Sequence, residues 1–172
     1  MDREGFIEMK VGGLTLDPVT KTPIVILKDA ENKLNLPIWI GLMEATSMAT
    51  ELEGIKMARP MTHDLLHNTI KEVGGRVEAI EVTSLQDNTY YAAIRLKVGE
   101  RDISVDSRPS DAISLALRTK CPIFVATQVL ESSSVLQQME DSEEEADLSS
   151  VSRDKWAEIL EKMSPDDFKY KM

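Results

Sequence analysis

The stretch that most constrains this chain runs from Arg101 to Val125, RDISVDSRPSDAISLALRTKCPIFV. It opens with Ile103 and Val105 in alternation, the period of a half-buried strand. The chain then turns through Asp106-Ser107-Arg108-Pro109-Ser110-Asp111. Pro109 suits a first helical position, where its fixed φ is already helical and its missing N–H has no partner to lose. Arg108, preceding a proline, is pushed out of the α region and marks the boundary. Ala112, Ile113, Leu115, Ala116 and Leu117 supply the buried side of the helix, and Arg118 and Lys120 place cations at the negative end of its dipole. Pro122 stops it, and Ile123-Phe124-Val125 reads as another buried strand. The turn sets two carboxylates, two hydroxyls and one guanidinium around a helix N-terminus, where free N–H groups favour an anion.

The segments before it alternate strand and helix. Phe6 to Leu16 reads as a strand with a bulge at Gly12-Gly13, and Thr22 to Lys28 as a buried strand. Leu34 to Ile40 is a third, and Pro37 within it argues for a sheet edge or a strand end. A helix follows Gly41, with Leu42, Ala45, Met48, Ala49 and Leu52 inward and Gly54 just past its end. Thr62 is the expected N-cap of a second helix, carried by Leu65, Leu66, Ile70 and Val73. Arg76 to Leu85 and Tyr90 to Val98 are hairpin arms around Asp87-Asn88.

These segments repeat. With Glu44 set against Asp111 (111 − 44 = 67), Ser47 falls on Ser114, Met48 on Leu115 and Ala49 on Ala116. The expectation is an α+β fold: a duplicated β-β-β-α motif in a wide, mostly antiparallel sheet, with an extra helix between the repeats. Chance likeness of amphipathic segments is the other account of these matches.

Composition fixes the organisation and excludes some functions. Residues 1–130 read as one domain, 131–150 as an acidic linker, and 151–172 as a short amphipathic C-terminal helix with Trp156, Ile159, Leu160 and Met163 on one face. The net charge of −10 argues against broad electrostatic capture of nucleic acid, although Glu140 to Asp147 alone holds six carboxylates. The lone Cys121 excludes an intramolecular disulfide and a cysteine zinc cluster. No long apolar run or leader pattern is present, so the expectation is a cytoplasmic chain with no membrane segment.

Two groups of residues have chemistry to offer. In the turn, Asp106 and Asp111 have the ligand chemistry for a hard divalent cation, Mg²⁺ or Mn²⁺, with Arg108 holding a phosphate in its planar fork. The structural account is a helix-end interaction at Asp111 and an Arg108–Asp106 ion pair. Asp111, Ser114 and Arg118 share a polar stripe, with Glu44, Ser47 and Glu51 as repeat partners. In the second group, His63 and His67 have the i, i+4 spacing of a zinc pair but lack an evident third ligand. His63 at a helix start has the chemistry of a general base, and a pair of surface histidines is the plainer account.

Several separate motifs, LPIWIG at 36–41, RPMTHDLL at 59–66, DNTYYAAI at 87–94 and DSRPSDAI at 106–113 with PIFV at 122–125, resemble the bacterial and plant bifunctional nuclease family. The resemblance covers roughly residues 6 to 130. It implies a duplicated α+β domain, a homo-oligomer, and a nuclease-like phosphodiesterase acting on RNA or DNA as its nucleic-acid partner. By motif, Glu44, His63, Asp64, Asp106, Arg108 and Asp111 are the matching positions and form the candidate catalytic set, with Asp106 and Asp111 as candidate metal ligands. The C-terminal segment does not match the UVR-type motif of plant relatives, so that role is not carried over. The alternative function is a non-catalytic oligomeric module that binds a small anion or a protein partner, which the acidic balance favours.

Overall fold

Seven strands and four helices make up the computed structural model, which describes residues 4–133. The expected C-terminal helix and most of the expected acidic linker lie outside the described residues. In chain order the elements are β1 (Phe6–Leu16), β2 (Pro23–Asp29), β3 (Asn35–Trp39), α1 (Leu42–Leu52), α2 (Thr62–Glu72), β4 (Gly75–Gln86), β5 (Thr89–Val98), β6 (Arg101–Ser107), α3 (Pro109–Thr119), β7 (Ile123–Ala126) and α4 (Thr127–Ser132). All strands lie in one sheet, in the order β3-β2-β1-β7-β4-β5-β6. Every neighbouring pair is antiparallel except β4 and β7. This is the expected α+β architecture. Among the described residues, no helix is long and apolar enough to cross a membrane.

Local chemistry explains most of the connections. Asp87 and Asn88 both adopt positive φ (48° and 59°), so the two-residue turn between β4 and β5 twists with its strands. Gly99 (φ 58°) does the same between β5 and β6. The pairing of β1 with β2 slips between Val11 and Gly13, the bulge that the double glycine announces. A Cβ at Gly12 would lie 2.6 Å from the Lys28 side chain, which packs across the glycine and would have to swing aside. Pro37 sits in β3, an edge strand, where its missing N–H breaks no interior ladder.

The two halves mirror one another about β7. Strands β3-β2-β1 lie on one side and β6-β5-β4 on the other, and β1 opposes β7 where β4 runs with it. Helices α1 and α3 occupy 42–52 and 109–119, eleven residues each, at the same offset of 109 − 42 = 67. This arrangement is compatible with an internal duplication. Both helices lie on one face of the sheet and close the main core with Leu27, Leu36, Met48, Ile80, Ile113, Leu115 and Val125, all fully buried. The core also takes in Val129 and Leu130 of α4.

Helix α2 differs from expectation. Its N-cap is Met61, not Thr62, and the Asp64 carboxylate accepts the Met61 N–H (2.8 Å) in place of a hydroxyl cap. None of its residues is fully buried, Leu65 is 60% exposed, and Ile70 supplies its contact with the core. Polar contacts must therefore do much of the anchoring. Since Leu115 is fully enclosed, Leu115→Ala should cost about 2–5 kcal/mol in urea unfolding. Val73→Ala, at an exposed position, should change stability by no more than about 0.5 kcal/mol.

Candidate active site

The polar stripe of α3 meets the start of α2 and the matching stripe of α1. Asp111, in the first turn of α3, stands at the centre. Its carboxylate receives Arg108 Nε at 2.7 Å and Arg108 Nη2 at 3.1 Å, a two-pronged pair. The third nitrogen of that guanidinium, Nη1, lies 3.0 Å from Glu44 Oε1 in the first turn of α1. Arg108 thus links the N-terminal turns of α1 and α3. Its side chain is still 58% exposed.

His63 is inserted from α2. Its Nε2 lies 3.1 Å from Asp111 Oδ1, and its Nδ1 lies 2.9 Å from Ser47 Oγ on α1. An ionised carboxylate can only accept, so Nε2 carries a proton and donates it to Asp111, while Nδ1 faces the Ser47 hydroxyl. Ser114, the repeat counterpart of Ser47, is fully buried, and among the described residues its hydroxyl has no hydrogen-bond partner. With α2 inserted once, only one of the two serines receives a histidine.

Asp64, the next residue of α2, pairs with Arg118 Nε. Arg118 also donates from Nη1 to the Ser114 carbonyl (3.0 Å) and from Nη2 to the Ser47 carbonyl (3.4 Å). At 4% exposure it is a buried guanidinium that joins all three helices. Burial pushes the Asp64 carboxyl up, but the Arg118 and Met61 hydrogen bonds and the nearby positive charge hold it below the ordinary carboxylate range. Asp111 follows the same pattern: burial raises it, and Arg108 and His63 more than offset that, so it too is depressed.

Five of the six sequence candidates, Glu44, His63, Asp64, Arg108 and Asp111, therefore meet through these contacts. Asp106 lies elsewhere. It pairs in register with Ala93, while its neighbours Val105 and Ser107 oppose the core residues Ile94 and Ala92. Alternation therefore points Asp106 to the sheet face away from the helices, where it is exposed. Among the described residues, no group of three or more His, Cys, Asp or Glu is placed to hold a metal ion, and His67 takes no part in the cluster. Cys121 is partly buried, and burial raises its thiol pKa.

A groove of about 860 Å³ opens beside the cluster, lined by Gly41 to Glu44 at the start of α1 and by Arg108 to Ser110 at the start of α3. The β2–β3 side contributes Thr22 and Trp39, and the start of β5 contributes Thr89 and Tyr90. Two helix N-termini, each with unsatisfied N–H groups, thus border one cavity.

The model of the bifunctional nuclease domain matches residues 25–138, a span that holds the whole cluster. The chain belongs to that family. An uncharacterized protein of Mycobacterium tuberculosis is 36% identical over 165 residues, covering 94% of this chain and 98% of that protein. Bifunctional nuclease 2 of Arabidopsis thaliana is 31% identical over 117 residues, 66% of this chain but 36% of the plant protein. Bifunctional nuclease 1 of Oryza sativa subsp. indica is 30% identical over 109 residues, 62% of this chain and 33% of its own length. The chain thus spans about a third of these plant relatives.

The candidate catalytic set drawn from the sequence omits Arg118 and Ser47, although both lie on the stripes that the 67-residue offset pairs. Arg118 is the test of the anchor. Arg118→Met should lower stability by on the order of 3 kcal/mol, because Asp64 and two carbonyls lose their donor. Amide exchange in α2 should quicken more than in α1.

The carboxylates predict a pH dependence. Asp64 and Asp111 titrate lower folded than unfolded, so each stabilises the fold above the ordinary carboxylate range. That contribution is lost as pH falls through the depressed values. Urea midpoints of the native chain and Asp111→Asn should differ at neutral pH and begin to converge as pH falls below about 4.

Proposed function

We propose that this chain is a phosphodiesterase acting on RNA or DNA, with the groove between α1 and α3 as the seat of the phosphodiester. The observation that carries the reading is Arg108: an exposed guanidinium at the groove, held between two carboxylates at the mouths of two helices. A phosphate matches the planar fork as well as a carboxylate does. When a phosphate takes the fork, Glu44 and Asp111 are released beside the phosphorus, where either is placed to take a proton from the attacking water. His63, fixed by Ser47, keeps its Nε2 proton on Asp111 and orients that carboxylate. Asp64 and Arg118 hold the histidine in turn. The nuclease names of the plant relatives support the same reading.

A divalent cation fits as a partner of the substrate. Mg²⁺ commonly uses one or two protein carboxylates, with phosphate oxygens and water completing its shell. Glu44 lines the groove and Asp111 adjoins it through Arg108, and the ion would supply Lewis-acid stabilisation of the phosphate charge. Asp106, on the other sheet face, is not drawn on. The alternative, an anion- or protein-binding module without catalysis, is favoured by the fact that each of these charged groups already has an internal partner.

Purified protein should cleave RNA or DNA in the presence of Mg²⁺ or Mn²⁺ and lose that activity in chelator. Asp111→Asn should reduce kcat by at least about a hundredfold. Arg108→Lys should chiefly raise KM, since lysine keeps the charge but not the fork. Failure of the wild-type chain to cleave either polymer with either ion would sink the enzyme reading in favour of the binding module.

A further inference from the structure

Trp39 is a large aromatic surface left open at the groove. It ends β3 on the sheet edge, and 53% of its surface is exposed. The ring is nevertheless fixed, because its indole N–H donates to Asp17 Oδ2 at 3.1 Å. Asp17 is fixed in turn: its Oδ1 accepts the backbone N–H groups of Thr20 (2.8 Å) and Val19 (2.9 Å). The Thr20 N–H, then the Trp39 indole and the Val19 N–H, lower the Asp17 pKa to about 2, so the tether stays charged at neutral pH. A flat apolar surface is thereby held in one orientation, and a partner that stacks on it need not immobilise it. Trp39 lines the same groove as Arg108, along with the hydroxyls of Thr20, Thr22 and Thr89.

An aromatic face and a guanidinium fork on one groove, with hydrogen-bonding side chains in the same lining, match the parts of a nucleotide in a strand. The groove, at about 860 Å³, is of a size that takes a ligand of that class. A base inside a duplex already has both faces covered, and only an unstacked base can lie on a tryptophan. The net charge of −10 likewise offers little to a duplex, whose capture depends on many phosphate contacts. We propose that Trp39 is a stacking platform for an unpaired nucleobase, so that the groove selects single-stranded RNA or DNA over duplex. This rests on the groove being the seat of nucleic acid, as argued above.

The test uses the full chain in a Trp156→Phe background, which leaves Trp39 as the sole fluorophore of its kind. Oligothymidylate, oligouridylate and a hairpin duplex are titrated at low salt, reading tryptophan quenching and the anisotropy of labelled strands. Both single strands should quench Trp39, and the duplex should not. With Trp39 replaced, anisotropy is the readout: Trp39→Ala should weaken single-strand binding roughly ten- to a hundredfold, whereas Trp39→Phe should retain most of it. Circular dichroism confirms that each variant is folded. Quenching and binding without cleavage by the wild-type chain would leave the platform standing and remove the phosphodiesterase reading. Equal binding of duplex, or Trp39→Ala binding like wild type, would overturn the proposal even if cleavage persists. So would a loss of oligomeric mass in Trp39→Ala with nucleic-acid binding unchanged, since a second copy of the chain would then be the occupant.

Discussion

The buried guanidinium of Arg118 is the contact on which the site depends. Helix α2 has no fully buried residue, so the hydrophobic effect alone gives it little reason to keep one position. Arg118, from the last turn of α3, supplies that reason by pairing with Asp64 and by bonding carbonyls of α1 and α3. A buried arginine without its carboxylate would be costly, which makes the docked position of α2 steep and well defined. His63, one residue before Asp64, is then delivered between Ser47 and Asp111. Its place is set by a contact made on the neighbouring residue.

The mirrored halves explain why the cluster and the groove coincide. Each β-β-β-α unit ends by turning from an edge strand into a helix, and the two helices begin side by side on one face of the sheet. Equivalent positions therefore meet: Glu44 and Asp111 share Arg108, and Ser47 and Ser114 both lend carbonyls to Arg118. The single copy of α2 breaks the equivalence. Only Ser47 gains the histidine, and the hydroxyl of Ser114 is left buried without a partner among the described residues. One pair of similar helices thus yields one site.

Much of this was legible in the sequence because it is encoded locally. Period-two alternation, the Asp87-Asn88 turn, the Gly12-Gly13 bulge and Pro109 at a helix start each express a preference of a few neighbouring residues, and the structure honours them. The 67-residue offset carried one piece of long-range information, placing the stripe of Asp111, Ser114 and Arg118 against that of Glu44, Ser47 and Glu51. What the sequence could not express was pairing across the fold. Arg108 stands two residues from Asp106 in the chain, yet strand alternation turns that aspartate to the far face, and the guanidinium reaches Glu44 instead. The inner side assigned to α2 failed for a related reason. Its apolar residues have helical spacing, but the helix rests on charged contacts at its N-terminal end, which a hydrophobic pattern does not record.

The two arginines of the site show how exposure divides one chemistry into two roles. Arg118 and Arg108 both pair with carboxylates at helix ends, yet their side chains are 4% and 58% exposed. The Arg108 guanidinium is open to the groove while its partners Glu44 and Asp111 are only 10% and 31% exposed, so an anion can reach the fork from the solvent side without entering the interior. At Arg118 the guanidinium itself is enclosed, and withdrawing it would leave Asp64 and two backbone carbonyls without their donor. In the proposed reading, an acidic chain thereby offers an anionic polymer a local cation without a broad basic surface. The arginine that faces the groove is already in place, and the arginine that fixes the geometry is kept out of reach.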